Sequence, residues 1–189
     1  MGAGRLRAQP GRLSVVRAAS GRLLALAILL VSAVAGVALW WLQTRGYYYE
    51  VSAAEVGLTV VAEDGSVVPL EPTEFAGIDA DSSPIRFRAC FHLNDAGQIQ
   101  EAAEQVTDPT PLLAPRWFDC FDAEAIAGAL ERGEARAVLG TRDIRYGIDR
   151  VIALYPDGRG FAWHQINPCG EAAFGGKPLP AGCPPPPET

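Results

Sequence analysis

Ile85-Arg86-Phe87-Arg88-Ala89-Cys90-Phe91-His92-Leu93 is the cleanest two-residue alternation in this 189-residue chain. Successive side chains of a strand point to opposite faces, so Ile85, Phe87, Ala89, Phe91 and Leu93 share one face and Arg86, Arg88, Cys90 and His92 the other. The pattern predicts a half-buried strand with a polar outer face. On its N-terminal side, Glu55–Ala62 has the β-branched content of a strand. Glu63-Asp64-Gly65-Ser66 follows as a turn, and Val67–Leu70 completes a hairpin. On its C-terminal side, Asn94–Pro115 is polar, with weak helical character around Ile99–Val106. Asp122 is an N-cap for a short helix through Arg132, with Ile126, Ala127, Ala129 and Leu130 toward the core and Gly133 at C′. Ala135–Gly140 reads as a strand. Arg150–Tyr155 and Arg159–Ile166 read as a hairpin across Pro156-Asp157-Gly158, where proline presets the turn and glycine accepts a positive φ. The expected fold is α+β, a small mainly antiparallel sheet with one or two short helices, preceded by one transmembrane helix.

That helix is read from Leu23 to Leu42, a run of 20 residues without a charge. At about 1.5 Å per residue, such a run matches the roughly 30 Å core of a bilayer. Trp40 and Trp41, then Tyr47, Tyr48 and Tyr49, supply rings of the kind that collect at a membrane boundary. Five arginines precede the run and Arg45 follows it, which by the positive-inside rule predicts a cytoplasmic N-terminus. A cleaved signal peptide is the rival reading, with Ala33-Val34-Ala35 before the cut. The apolar run continues unbroken through Gly36–Leu42, which favours the anchor. Either way the rest of the chain is exported. The expected organisation is a basic leader over 1–22, the membrane helix over 23–42, a juxtamembrane stalk over 43–54, an α+β domain over 55–168 and a Pro-rich tail over 169–189.

Charge divides at the same place. Residues 1–45 hold six arginines and no acid, while the rest of the chain holds the other 10 bases and all 22 acids, a net of −12. An acidic exported part argues against nucleic acid as a partner. Cys90, Cys120, Cys169 and Cys183 all lie beyond the membrane run, and an even count in an oxidising compartment reads as two disulfides. Three pairings are open, with Cys90–Cys120 and Cys169–Cys183 preferred because the second staples the tail. There is no C-x-x-C, and the spacing of Cys90, His92, Cys120, Cys169 and His164 matches no standard zinc pattern.

Several segments together resemble a known sequence pattern. Gly77–Phe91, Trp117–Ala123, Tyr146–Val151, Pro156–Gly160, Trp163–Asn167 and Gly182–Pro187 resemble a domain-of-unknown-function family of single-pass membrane proteins from Rhodobacter-type alphaproteobacteria. The resemblance covers roughly Val31 to Pro187 and leaves out the arginine leader. It implies an inner-membrane anchor with a periplasmic domain, and it carries no catalytic residues with it.

No P-loop, H-E-x-x-H, G-x-S-x-G or dinucleotide-binding glycine pattern occurs, and no metal or cofactor is expected. Three site hypotheses follow. A cysteine–histidine hydrolase would pair Cys120 with His164, and Asp119, Asp122 or Asn167 would orient the imidazole. An anion-binding sensor domain would gather Arg86 and Arg88 with Arg142, Arg145 or Arg150, since guanidinium groups grip carboxylates and phosphates bidentately. A docking surface would use Trp117 and Trp163 at the edge of a groove. Asp79-Ala80-Asp81-Ser82-Ser83 has too few ligands for a calcium loop and reads as a turn. With no catalytic motif present, the expected role is non-enzymatic, a binding or assembly domain held at the membrane beside a neighbouring membrane protein complex.

Overall fold

In the computed structural model, residues 19–187 are described, and the chain divides after Trp41 into two units. Residues 1–18 of the expected leader lie outside the described residues. The first unit is the helix α1 (Ala19–Trp41). Its leucines, isoleucine and valines are more than half exposed. Gly21–Gly46 is long and apolar enough to cross a membrane.

The second unit opens with a π-helical turn, Leu42–Gly46. There follow β1 (Tyr49–Val51), α2 (Ala53–Val56), β2 (Thr59–Val61), β3 (Val67–Pro69), β4 (Thr73–Asp79), β5 (Arg88–His92), α3 (Ala96–Ala102), α4 (Ala123–Glu131), β6 (Arg136–Arg145), β7 (Ile148–Leu154), β8 (Arg159–Ile166) and α5 (Pro168–Phe174). Six strands form one antiparallel sheet in the order β1-β4-β5-β8-β7-β6, and β2–β3 form a separate hairpin. The class is α+β with one leading apolar helix, and four short helices accompany the sheet among the described residues.

Both faces of the sheet are covered. On one face Phe87, Ala89, Phe91, Val138, Ile152, Leu154 and Ala162 pack under Leu58, Val60 and Leu70 of the hairpin layer and under Ala96 and Ala103 at the two ends of α3. On the other face Cys90, Ala137, Val151, Ala153 and Trp163 pack under Phe121 and under Ala123 and Ile126 of α4. The β5–β8 register pairs Arg88 with Trp163 and Ala89 with Ala162, which fixes the face of every neighbouring side chain.

This burial corrects the reading of Ile85–Leu93. The strand covers only Arg88–His92, and its Arg88 and Cys90 face is buried rather than polar and solvated. The expected stalk is also part of the fold, since Tyr49–Val51 pairs with Gly77–Asp79 as the edge strand. Glu55–Ala62 is not one strand. Ser52 and Glu55 form a reciprocal capping box that winds α2 before β2 begins. The helix expected near Ile99 lies earlier, at Ala96–Ala102.

Two local readings match closely. The hairpin turn holds Gly158 at φ +94°, where a Cβ would stand 2.5 Å from the Leu93 carbonyl oxygen. Asp122 caps α4, its carboxylate accepting from the amides of Glu124 and Ala125 at 3.1 and 3.0 Å. Gly133 follows at C′ with φ +71°. Asp122→Ala is expected to cost about 1 kcal/mol, with Asp122→Asn within a few tenths of wild type. Urea midpoints of residues 42–189 check this.

Candidate functional site

The three expected sites are distributed by the alternation of the sheet. Cys120 is bonded to Cys90, with Cα atoms 6.3 Å apart, and Cys169 to Cys183, with Cα atoms 5.5 Å apart. Cys90 lies opposite Phe161 in the ladder, on the α4 face. His164 lies opposite Arg150, on the other face. The sheet therefore separates Cys120 from His164, and no thiol is free among the described residues. The hydrolase pairing is not assembled.

His164 is instead a buried structural imidazole, 3% exposed. Its ring stacks on Phe87 with centroids 4.6 Å apart. Nδ1 meets the Pro84 carbonyl at 2.8 Å, and a carbonyl only accepts, so Nδ1 carries the proton. Nε2 then accepts from Arg150 Nε at 3.2 Å. Burial first, then the Arg150 charge, pushes the His164 pKa down to about 4.

The arginines do not converge. Arg150 is 7% exposed, lies over the Phe87 ring and donates to the Val56 carbonyl as well as to His164. Arg88 is on the opposite face, over the Phe121 ring, and donates to the carbonyls of Ile85, Phe87, Leu112 and Leu113. Burial lowers both pKa values to about 10, so both remain cations at neutral pH. Their job is to satisfy buried carbonyls and pin neighbouring segments. Arg142 pairs with Glu104 at 2.7 Å on the surface. Arg145 is exposed.

The two tryptophans separate as well. Trp163 is fully buried against Phe121, and its Nε1 donates to Gln165 Oε1 at 3.0 Å. Trp117 is half-buried at the start of the second unit, where its Nε1 donates to the Thr44 carbonyl. Arg45 lies 5.6 Å from the Trp117 ring centroid.

The segment from Glu104 to Leu113 is the feature that sequence reasoning missed. It runs along β6, with Leu139 donating to the Glu104 carbonyl and Val106 to the Ala137 carbonyl. Gln165 then clips it to β8, accepting from the Thr110 amide and donating to the Asp108 carbonyl. Arg88 holds its far end. A cleft of about 480 Å³ opens beside this strap. Val106, Leu139 and Val151 give it an apolar floor, and Glu104, Arg142, Asp149, Gln165 and Asn167 a polar rim. The rim is pre-set, because Asp149 accepts from Asn167 Nδ2 at 2.9 Å and from the Asp143 amide at 2.8 Å. The size and the mixture of surfaces suit a small ligand or an inserted side chain. Asn167 was visible in the sequence as a polar residue just beyond the Arg159–Ile166 strand, a candidate to orient the His164 imidazole. Gln165, inside that strand, and Glu104 carried no such signal.

No curated protein and no solved structure matches the chain. Residues 56–184, from α2 to the disulfide-closed tail, match the family of unknown function DUF6446, and the chain belongs to that family.

Proposed function

We propose that this protein is a single-pass inner-membrane protein with a cytoplasmic N-terminus and a periplasmic α+β domain. In this reading the domain is non-enzymatic and binds or helps assemble a neighbouring membrane protein complex through the strap-side cleft. The observation that carries it is the short connection. Only seven residues lie between the end of α1 at Trp41 and the start of the sheet at Tyr49. A domain tied that closely to an apolar helix works at the membrane surface. Two disulfides suit an oxidising compartment, and the arginine excess before the helix suits an N-in orientation. The rim around Arg142 and Glu104 supplies directional contacts, and the floor supplies apolar area.

The test is photo-crosslinking in native membranes from a reactive residue placed at Thr107, on the cleft rim. The expected result is one discrete adduct with a membrane protein. It should be lost on Arg142→Glu and retained on Arg159→Glu, an exposed arginine that lines neither this cleft nor the surface around Thr107. An adduct indifferent to Arg142→Glu, or found only with soluble cytoplasmic proteins, would overturn the reading.

A further inference from the structure

At the start of the second unit, two cations are mounted on a pair of rings. Trp117 and Tyr48 meet edge to face with centroids 6.1 Å apart. Arg45 lies over Trp117 at 5.6 Å and Arg86 over Tyr48 at 5.5 Å. The indole of Trp117 is tied to the Thr44 carbonyl, so the ring pair is fixed to the turn that follows the apolar run. Among the described residues neither guanidinium takes part in an ion pair. Among the described residues Arg86 Nη1 is buried without a hydrogen-bond partner, and the Tyr48 ring is the contact its guanidinium makes.

We propose that Arg45 and Arg86 bind the headgroup phosphates of phospholipids, on the side of the membrane that the domain occupies. The inference rests on the membrane-anchor reading. Arg45 follows Leu42, the last residue of the apolar run, by three residues. That is about 4.5 Å if helical and at most about 11 Å if extended. The headgroup layer is roughly 5–8 Å deep on each side of the hydrocarbon. Arg45 is thus held at phosphate depth, and the ring contacts bring Arg86 into the same patch. Tryptophan and tyrosine favour this boundary, and guanidinium groups grip phosphate bidentately. The rest of the domain is strongly acidic, with a net charge of −12 beyond residue 45. An anionic leaflet repels such a surface, and charges more than about 8 Å apart are screened in physiological salt. Cations in contact with the phosphates therefore offset that repulsion locally.

The experiment uses the full chain in three settings: phosphatidylglycerol nanodiscs, phosphate-free digalactosyldiacylglycerol nanodiscs, and the latter with 20 mM inorganic phosphate. Hydrogen exchange is read over residues 112–119. Exchange should be about tenfold slower in phosphatidylglycerol than in the galactolipid, with no slowing from inorganic phosphate. The double variant Arg45→Gln/Arg86→Gln should lose the difference, and Arg45→Lys/Arg86→Lys should keep most of it. Unchanged protection of β7 in both variants confirms the fold. Equal exchange in the two lipids overturns the lipid site and leaves the anchor intact. Slowing by inorganic phosphate alone also overturns it, in favour of a free-anion site. A chain recovered outside the discs sinks both the site and the anchor reading.

Discussion

Trp163→Ala is expected to destabilise the domain by about 3–5 kcal/mol, the range for removing a fully buried large aromatic. The side chain has no exposed surface, and it is surrounded by Phe121, Ala123, Ile126, Ala137, Val151 and Cys90. Those neighbours come from three strands, α4 and the segment before it, so no single element can move in to fill the space. The loss also frees Gln165 Oε1 from one of its two donors, the other being the Thr110 amide. The strap should loosen as the core does. Trp117→Ala, by contrast, removes a half-buried ring and one hydrogen bond, and should cost roughly 1 kcal/mol. Urea unfolding of residues 42–189 followed by far-UV circular dichroism separates the two. A Trp163→Ala loss below that of Trp117→Ala would mean that the α4 face is not a packed core.

The same pair shows what the sequence can and cannot convey. Each tryptophan has a phenylalanine within two residues and a polar or charged neighbour, and local pattern gives them the same weight. Their fates differ because Trp163 is on a central strand whose two faces are both covered. Alternation in Ile85–Leu93 assigns Arg88 and Cys90 to one face correctly. It is silent on whether a later segment returns to cover that face. Here α4 and the strap do, and the carbonyls of Leu112 and Leu113 make a buried Arg88 tolerable. Short-range features were readable for the opposite reason. The Pro156-Asp157-Gly158 turn, the Asp122 cap and the Val67 hairpin arm are decided by neighbours a few residues away. The edge strand Tyr49–Val51 was not readable, because its partner Gly77–Asp79 lies far along the chain. The candidate cleft follows the same rule. Glu104 and Arg142 meet only because the strap lies along β6.

Domain stability is expected to fall by about 3 kcal/mol as the pH drops from 6.5 to 4, through His164 alone. The sign follows from the direction of the shift. An unfolded histidine titrates near 6.5, and the folded one near 4. Between those values the unfolded chain binds the extra proton, so acid favours unfolding. The stabilisation is complete above pH 6.5 and is lost as the pH falls through the folded value. Around the imidazole stand Arg150 in direct contact and the charges of Arg88 and Arg145 further off, all opposing a second cation. Protonation would also remove the Nε2 lone pair that accepts from Arg150, leaving two buried cations facing each other. Asp79 works in the opposite sense, since burial raises its pKa and its cost is relieved in acid. His164→Gln keeps one donor for Pro84 and one acceptor for Arg150, and it does not titrate. Subtracting its urea stability from that of wild type across pH 4–7.5 cancels Asp79 and the surface carboxylates. The difference should slope by about 3 kcal/mol over that window. Parallel curves would show that His164 takes up its proton in the folded state as readily as in the unfolded chain, and that the buried neutral imidazole between Pro84 and Arg150 does not exist.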